Sequence, residues 1–432
     1  MQFETSTLPH ITVGTHTDEK TKLFTLTLSV DIHASYTIAG NAVEYVYSEA
    51  LLAGTGSLNR SQFLDKLNKT GGSLTVSFNR SILTIDLRSQ IEYLTTIHQL
   101  FKALMSEPTF LPTEIARIKK NVHNDLELQK EDARGWAQRA LEQTLFGSTD
   151  RRQSASITEL QKNVPTVTRQ QLTALHERVL AQPWIVTQSG TKAMIESTNK
   201  LLASLKAKRE PDTTISAHLP KTLERRIVLI KSIPSKHNVE FSIGAPLLPT
   251  LHHPDYLPFV FGLAVLGKWG GFAGRLMSTV REKEGLTYGI YARTESVYGS
   301  EAGYWRIMTF FAPEKAKTGL TSTLREITNI SQKGVTDKEM ARFKAILNTQ
   351  QSLLNDSLLS SLSDLHSYLS EGFTLDQMAE YKDRLLKVTK AEVTEALKKY
   401  LNPDKLIISA AGPVEKIKKE LIQFAKTADP KS

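Results

Sequence analysis

The segment REKEGLTYG, residues 281–289, places an arginine and a tyrosine seven positions apart around a glycine. The guanidinium of Arg281 and the phenol of Tyr288 both donate hydrogen bonds, so together they could stabilise an oxygen that gains negative charge. Each residue also has an ordinary structural explanation. Arg281 could pair with Glu282 or Glu284, and a tyrosine in a strand is most often a half-buried packing residue. The pair alone therefore assigns no function.

The local sequence predicts that this pair lies where a helix ends and a strand begins. Residues 272–285 have apolar side chains spaced by three and four positions, which is typical of an amphipathic helix. Gly285 stands where a helix commonly ends in a left-handed residue. Residues 286–297 alternate in polarity and predict a strand, with Leu286 and Tyr288 on one face. Both members of the pair could then point to the same side of the corner.

An internal repeat indicates how the rest of the chain is organised. Residues 167–191 and 388–413 share a Val-Thr entry, an amphipathic helix, a turn with proline, a β-rich stretch and a glycine. Thr168 and Thr389 suit helix N-caps and are 221 positions apart. This offset between the two similar segments predicts a duplicated domain of about 220 residues.

The duplication predicts two domains, residues 1–210 and 223–432, joined by a linker at 211–222 with two prolines near it. Stretches of alternating polarity occur in both halves among long helical patterns. They predict an α+β fold in which each domain has a mostly antiparallel sheet with helices packed on one face.

The composition is typical of a globular protein, and no apolar run approaches the ~20 residues of a membrane span. The absence of cysteine excludes disulfides, thiolate metal sites and a cysteine nucleophile. The net charge is +9, but the basic residues are dispersed, and the densest run, at 200–211, has no interleaved aromatic residues. A nucleic-acid-binding protein therefore remains only a weak alternative.

Residues 252–292 resemble the C-terminal domain of the M16, or pitrilysin, zinc peptidases. The likeness lies in an Asp-Tyr that opens a long helix, a glycine-rich loop, and a helix that runs into Arg-Glu-Lys-x-Gly-Leu-x-Tyr. The closing residues 388–413 are similar to that family too. The resemblance implies two homologous domains of the kind found in LuxS and in mitochondrial processing peptidase.

The family's zinc motif, His-x-x-Glu-His, should lie in the first half. It normally leads into a Leu…Gly-Thr stretch, which this chain retains as Leu51, Gly54 and Thr55. Aligned on that stretch, the motif positions hold Tyr45, Val46, Tyr47, Ser48 and Glu49. Both histidines and the glutamate general base are thus replaced, and a serine hydroxyl cannot accept a proton at neutral pH without its own base. The resemblance implies that this chain does not bind catalytic zinc.

The position of the third ligand is also altered. Aligned with the family, it falls on Asp125 or Leu126, where a glutamate is expected. The other histidines are scattered, and none forms an i, i+4 pair with another. We expect them at surface or capping positions rather than in a replacement metal site.

Some bacterial members of the family divide the chemistry between two chains. One chain carries the zinc motif, and the other has lost it but supplies an arginine–tyrosine pair to its partner's site across a central cavity. This chain is similar to the second kind, with Arg281 and Tyr288 in that role. Gly270 and Gly271 are the corresponding candidates for a substrate-binding loop. The resemblance implies a heterodimer that hydrolyses peptides, with no cofactor in this chain and zinc in the partner.

Two further expectations stay open. The alternative function is an inert M16-like scaffold, or a peptide-binding assembly subunit, that takes no part in catalysis. For the compartment we expect the periplasm, with the cytoplasm as the alternative. The first twenty residues lack the charged and apolar regions of a signal peptide, but a mature exported chain with Met1 added would look the same.

Overall fold

The computed structural model describes residues 2–32, 37–205, 219–267 and 273–425. Their contacts divide the chain into two compact units. The first contains residues 1–126, 156–216 and 351–379, and the second contains 127–155, 217–350 and 380–432. These units differ from the two contiguous halves of the prediction, because each includes a segment from the other half. Most of the predicted linker lies outside the described residues, which resume at Leu219.

The first half of the chain contains most of the elements of the first unit. Its strands are β1 (Glu4–Leu8), β2 (Ile11–Thr17), β3 (Leu23–Asp31), β4 (Gly54–Thr55), β5 (Leu58–Asn59), β6 (Ser73–Asn79), β7 (Ile82–Gln90) and β8 (Trp184–Gly190). Its helices are α1 (Ile38–Leu51), α2 (Arg60–Lys69), α3 (Leu94–Ser106), α4 (Pro112–Gln129), α5 (Ala133–Leu145), α6 (Ile157–Asn163), α7 (Arg169–Ala181) and α8 (Lys192–Leu205).

The second half has the same kinds of element. Its strands are β9 (Ile227–Ser232), β10 (Val239–Leu247), β11 (Ile290–Glu295), β12 (Gly303–Phe311) and β13 (Ile407–Gly412). Its helices are α9 (Tyr256–Gly267), a π-helix (Met277–Lys283), α10 (Ala316–Lys333), α11 (Asp337–Asp356), α12 (Leu358–Ser370), α13 (Leu375–Lys387), α14 (Lys390–Tyr400) and α15 (Lys418–Gln423).

The two main sheets have the same topology apart from β1. The first runs β1-β2-β8-β3-β7-β6 and the second runs β9-β13-β10-β12-β11. In each, one parallel pair (β2 with β8, β9 with β13) is followed by antiparallel pairs. The fold class predicted from the sequence, an α+β protein with two related and mostly antiparallel sheets, is thereby confirmed.

The repeated segments have the same local structure in both units. Thr168 caps α7 and Thr389 caps α14, each accepting a hydrogen bond from the backbone N–H three residues later. Gln171 and Glu392 complete the two capping boxes. Helix α7 leads into β8 and helix α14 leads into β13, and each of these strands belongs to the parallel pair of its sheet. The repeat read in the sequence is thus one helix–strand unit used twice.

Each sheet is apolar on one face, as the alternation along its central strand requires. In β3, Phe24, Leu26 and Leu28 are buried in the core, and the residues between them are threonines. In β10, Phe241 and Ile243 are buried in the same way. In the described residues, no helix is long and apolar enough to cross a membrane.

The segments that change units pack a helix on the opposite, more polar face of each sheet. In the first unit α12 lies on β8 and β2, where a Cβ on Gly14 would come within 2.7 Å of Leu369. In the second unit α5 lies on β10 and β13, where a Cβ on Gly244 would come within 3.2 Å of Leu141. Glycine therefore allows each helix to approach its sheet closely.

Candidate functional site: the Arg281–Tyr288 corner and helix α1

The helix that carries Arg281 is present where the sequence predicted it, but its last turns are π-helical over Met277–Lys283. The N–H of Glu284 donates to the carbonyl of Thr279, five residues earlier, over 3.0 Å. The chain then leaves the helix through Gly285, whose φ of +62° is the predicted left-handed conformation. Single π-helical turns occur often at functional sites, so this turn agrees with a functional role for the corner.

The strand after the corner begins later than predicted. It starts at Ile290, so residues 286–289 form an irregular segment between helix and strand. Tyr288 lies in this segment with 76 % of its surface exposed. The explanation of Tyr288 as a half-buried strand residue is therefore wrong. Alternating apolar residues continue back to Leu286, and this pattern alone could not reveal where pairing with β12 begins.

Arg281 and Tyr288 are in contact. The guanidinium carbon of Arg281 lies 5.0 Å from the centre of the Tyr288 ring, within the range of a cation–π interaction. Arg281 is half-buried, whereas the ring of Tyr288 projects into solvent. The carboxylate of Glu284, one of the partners considered for Arg281, bonds to Arg325. The sequence could place the two side chains at one corner, but not against each other.

Other contacts fix the start of this helix. The guanidinium of Arg275 donates to both carboxylate oxygens of Glu339, over 2.6 and 2.8 Å, and to the carbonyl of Gly334 over 2.8 Å. A Cβ on Gly274 would lie 2.7 Å from the Cα of Gly267, so only glycine allows this approach to the end of α9. The predicted substrate-binding residues Gly270 and Gly271 lie outside the described residues.

The degenerate zinc motif lies on α1, as its helical family pattern implied. Tyr45 is 40 % exposed, whereas Val46 and Tyr47 are both fully buried. The hydroxyl of Ser48 donates to the carbonyl of Glu44, one turn earlier, over 3.1 Å. Ser48 thus makes a local helix contact of the kind usual for serine, rather than contacting a base.

Tyr47 belongs to a buried chain of hydrogen bonds that the sequence did not predict. Its hydroxyl lies 2.8 Å from Nδ1 of His176, and Nε2 of His176 lies 2.9 Å from the carbonyl of Met105. A carbonyl can only accept, so Nε2 donates to it, and the neutral ring accepts from Tyr47 at Nδ1. Burial lowers the pKa of His176, which agrees with a neutral ring. The expectation of a surface or capping histidine is wrong here.

Glu49 and Asp125, the residues that the sequence aligns with two zinc ligands of the family, influence each other electrostatically. Partial burial of its carboxyl raises the pKa of Glu49, the charge of Asp125 raises it further, and Arg117 and Arg60 oppose this. Leu126, the other candidate for the third ligand position, is 1 % exposed and lies in the core. Of the two candidates, only Asp125 has a side chain that could act as a ligand, and its assignment to the third ligand position stays a prediction.

Two carboxylates are too few for a zinc site of the family type. Such a site needs three protein ligands and an open position. Across the described residues, no group of three His, Cys, Asp or Glu side chains could hold a metal ion. The expectation that the chain holds no zinc remains a prediction for metal analysis.

Comparison with known proteins gives a family-model match that includes the Arg281–Tyr288 corner but not helix α1. Residues 166–347 match the model of the peptidase M16 inactive domain. A curated relative is the non-peptidase homologue YmxG of Helicobacter pylori (strain ATCC 700392 / 26695), 23 % identical over 387 residues. That alignment covers 86 % of this chain and 85 % of YmxG.

Solved structures share the fold over nearly the whole chain. The peptidase M16 inactive domain of Pseudomonas fluorescens superposes with a TM-score of 0.83 at 22 % identity, covering 96 % of this chain and 98 % of the other. A protease from Helicobacter pylori gives a TM-score of 0.78 at 13 % identity, covering 95 % and 99 %. A conserved protein from Enterococcus faecalis V583 gives 0.76 at 16 %, covering 95 % and 98 %. Residues 166–347 thus match a peptidase M16 inactive domain, which confirms the family resemblance found in the sequence.

Proposed function

We propose that this chain is the zinc-free subunit of a heterodimeric M16 peptidase and that Arg281 and Tyr288 complete the zinc site of its partner. The observation that carries the proposal is the contact between the two side chains. The Arg281 guanidinium is stacked 5.0 Å from a phenol ring that is 76 % exposed. An aromatic side chain held in this way is available to another chain.

The chemistry of the pair suits peptide hydrolysis. Hydrolysis of a peptide bond passes through a tetrahedral intermediate with negative charge on the former carbonyl oxygen, and zinc in the partner would supply the activated water. A guanidinium and a phenol can both donate hydrogen bonds to that oxygen, or to the peptide backbone next to it. Because the donors are already positioned, they need little reorganisation during the reaction. Losing one such donor typically lowers kcat by a factor on the order of 10².

The replaced residues on α1 support the same division of labour. Tyr45 and Glu49 stand at the two histidine positions, and Ser48 stands at that of the general base. The match to an inactive M16 domain agrees with a chain that has no peptidase activity of its own. A complex that hydrolyses peptides then needs zinc from a second M16 chain with an intact His-x-x-Glu-His motif.

Substrate affinity in this proposal comes mainly from backbone contacts. An extended peptide can add as a strand to an open sheet edge, and β6 and β11 each lie at one edge of a main sheet. Strand β11 begins two residues after Tyr288. The loop with Gly270 and Gly271 remains a proposed part of the substrate site. The proposed compartment is the periplasm, and fractionation of cells that express the tagged chain would test it.

The test is reconstitution with the M16 chain that co-purifies with this one. We expect the isolated chain to be metal-free and inactive on quenched fluorescent peptides, and the pair to hydrolyse them. Arg281→Ala and Tyr288→Phe should each lower the kcat of the pair on the order of 10²-fold without weakening assembly. Lys387→Ala, at an exposed ion pair with Asp383, is the control and should leave kcat unchanged. Unchanged turnover in both corner variants would rule out the role assigned to the pair.

The alternative is an M16-like scaffold that assembles or binds peptides without taking part in catalysis. It is favoured by the descriptions of the matched domain as inactive and of YmxG as a non-peptidase homologue. It predicts a stable complex whose turnover, if there is any, does not depend on Arg281 or Tyr288. The same two variants therefore separate the two functions.

A further inference from the structure

The irregular segment between Arg281 and Tyr288 is held by side chains from three neighbouring elements. Residues 284–289 belong to no helix or strand. Such a segment is ordinarily the most mobile part of a site, because few backbone hydrogen bonds restrain it. Here the N–H groups of Glu284, Gly285 and Leu286 bond back to carbonyls of the preceding helix. Further restraints come from side chains elsewhere in the second unit.

Arg325, on α10, restrains the beginning of the segment. One of its terminal nitrogens bonds to the carboxylate of Glu284 and also donates to the hydroxyl of Ser322 over 2.9 Å. Its Nε lies 3.4 Å from the carboxylate of Glu326. Partial burial raises the pKa of Glu284, but hydrogen bonds from Ser322 and Arg325 and the charge of Arg325 together lower it. The guanidinium thus ties the end of the π-helix to α10.

Lys315 and Thr309 restrain the rest of the segment. The ammonium of Lys315 donates to the carbonyl of Gly285 over 3.0 Å, at the residue where the chain adopts φ +62°. The hydroxyl of Thr309, on β12, lies 3.1 Å from the carbonyl of Gly289, to which it donates. The backbone is therefore fixed on both sides of Tyr288, although the ring itself is exposed.

We infer that Arg325 and Lys315 are positioning residues that hold the Arg281–Tyr288 pair in the geometry in which it meets a substrate. This inference rests on the proposed function. Donors must stand within a fraction of an ångström of the oxygen that they stabilise, and a misplacement of about 1 Å can cost up to 10²-fold in rate. Neither Arg325 nor Lys315 needs to touch the substrate, since each acts through the backbone that carries Tyr288.

The first experiment measures amide hydrogen exchange in the chain alone. Arg325→Met and Lys315→Met keep the alkyl part of each side chain and remove its charge and donors. In each variant we expect the amides of residues 284–289 to exchange about tenfold faster, with the core strands unchanged. Arg325→Lys, which retains a charged donor, should recover much of the protection. Lys387→Met, at an exposed ion pair, is the control and should change nothing here.

The second experiment measures hydrolysis by the reconstituted pair. Arg325→Met and Lys315→Met should lower kcat about tenfold and leave KM nearly unchanged, since backbone binding of the peptide is unaffected. Unchanged exchange in both variants would overturn the inference. Faster exchange with normal kcat, in a complex where Tyr288→Phe does lower kcat, would overturn it as well but leave the proposed function standing. A normal kcat in both Arg281→Ala and Tyr288→Phe would remove the proposed function and this inference together.

Discussion

At the scale of single residues, helix α1 and the Arg281–Tyr288 corner differ in how far their residues follow the pattern of the family. On α1, Tyr45 and Glu49 replace two neutral nitrogen ligands with a phenol and a carboxylate, and Ser48 replaces a base. At the corner, Arg281 and Tyr288 are both present and in contact. The sequence could predict which residue types stand at both places, but not that Arg281 and Tyr288 are in contact. It could not predict that the charge of Asp125 acts on Glu49, since that requires knowing how the two helices that carry them are arranged.

This arrangement gives a prediction about the lost metal site. Because the charge of Asp125 acts on Glu49, we expect that restoring the two histidines recreates a set of three ligands on α1 and α4. We expect Tyr45→His/Glu49→His to bind zinc, whereas the unchanged chain does not. The measurement is calorimetric titration with zinc, supported by the absorption spectrum of bound Co²⁺. The variant should remain inactive on peptides, because Ser48 supplies no general base.

The matched control adds Asp125→Asn to the same double variant. Loss of the carboxylate should weaken zinc binding by about tenfold or more. Equal binding with and without Asp125 would mean that a different residue occupies the third ligand position. A second control, Leu126→Ala in the unchanged chain, should destabilise the fold by about 2–5 kcal/mol without affecting metal binding, because Leu126 is a core residue.

A second prediction at this scale concerns His366 on α12. Its ring lies between the hydroxyls of Ser29 and Thr187, at 2.9 and 3.1 Å, in the contact between α12 and the first sheet. Burial lowers its pKa from 6.5 to about 4, and the nearby charge of Asp86 opposes this only in part. The expectation of a surface or capping histidine is therefore wrong for this residue too.

The lowered pKa makes stability depend on pH with a definite sign. The unfolded chain binds a proton at His366 below pH 6.5, whereas the folded chain does so only near pH 4. Stability should therefore be full above pH 6.5 and fall by about 3 kcal/mol as the pH drops to 4. Urea unfolding at several pH values measures this. His366→Gln should remove this contribution to the fall in the free energy of unfolding with pH. A variant whose stability depends on pH as steeply as that of the original chain would contradict the role given to His366.

At the scale of elements, local chemistry predicted where helices begin and end better than how they are built. The caps at Thr168 and Thr389 and the left-handed Gly285 follow from side chains within a few residues of each helix end. The π-helical turn does not, because the bonds between residues five apart leave no distinct spacing in the sequence. The late start of β11 depends on where it pairs with β12, and the local sequence pattern does not indicate that position either.

Gly285 gives the prediction for this scale. No atom lies within 4 Å of the position of a Cβ on Gly285, so alanine there would meet no clash. It would still be strained, because φ is +62°. We expect Gly285→Ala to destabilise the second unit by about 1 kcal/mol and to lower kcat of the reconstituted pair through the displaced corner. Thermal unfolding measures the first effect and peptide hydrolysis the second.

Gly147→Ala is the matched control. Its Cβ would also have no neighbour within 4 Å, but its backbone has no positive φ. This variant should change the free energy of unfolding by less than about 0.5 kcal/mol. Equal effects of the two substitutions would show that backbone conformation at Gly285 is not the cause of the loss.

At the scale of the whole molecule, the two halves of the chain each complete the unit of the other. Residues 127–155 belong to the second unit and residues 351–379 to the first. The repeat predicted two related sheets, but helical periodicity in α5 or α12 says only that one face is apolar, not which sheet receives it. The exchange is visible only in contacts. In the second unit Glu142 of α5, buried completely, accepts a hydrogen bond from Tyr304 over 2.6 Å.

This exchange predicts that the halves depend on each other for folding. A chain cut between residues 210 and 211 leaves each fragment without a helix that its sheet needs, so neither fragment alone should unfold cooperatively. Mixed, the fragments should associate and recover the cooperative unfolding of the intact chain. Circular dichroism and calorimetry of the separate and mixed fragments measure both outcomes. Two fragments that fold alone and do not associate would contradict the exchange of segments.

Two substitutions in the first fragment locate the source of the association. Arg152 is fully buried, lies 2.6 Å from Asp150 and donates to the carbonyl of Ala302. Arg152→Ala leaves the buried carboxylate without its partner, so the fragments should associate about 100-fold more weakly or worse. Arg134 also reaches the second half, pairing with Glu240 over 3.1 Å, but its side chain is 58 % exposed. Arg134→Ala should weaken association by no more than about fivefold, because water already screens that pair. A similar loss in both variants would mean that net charge, rather than the buried contact around Arg152, holds the fragments together.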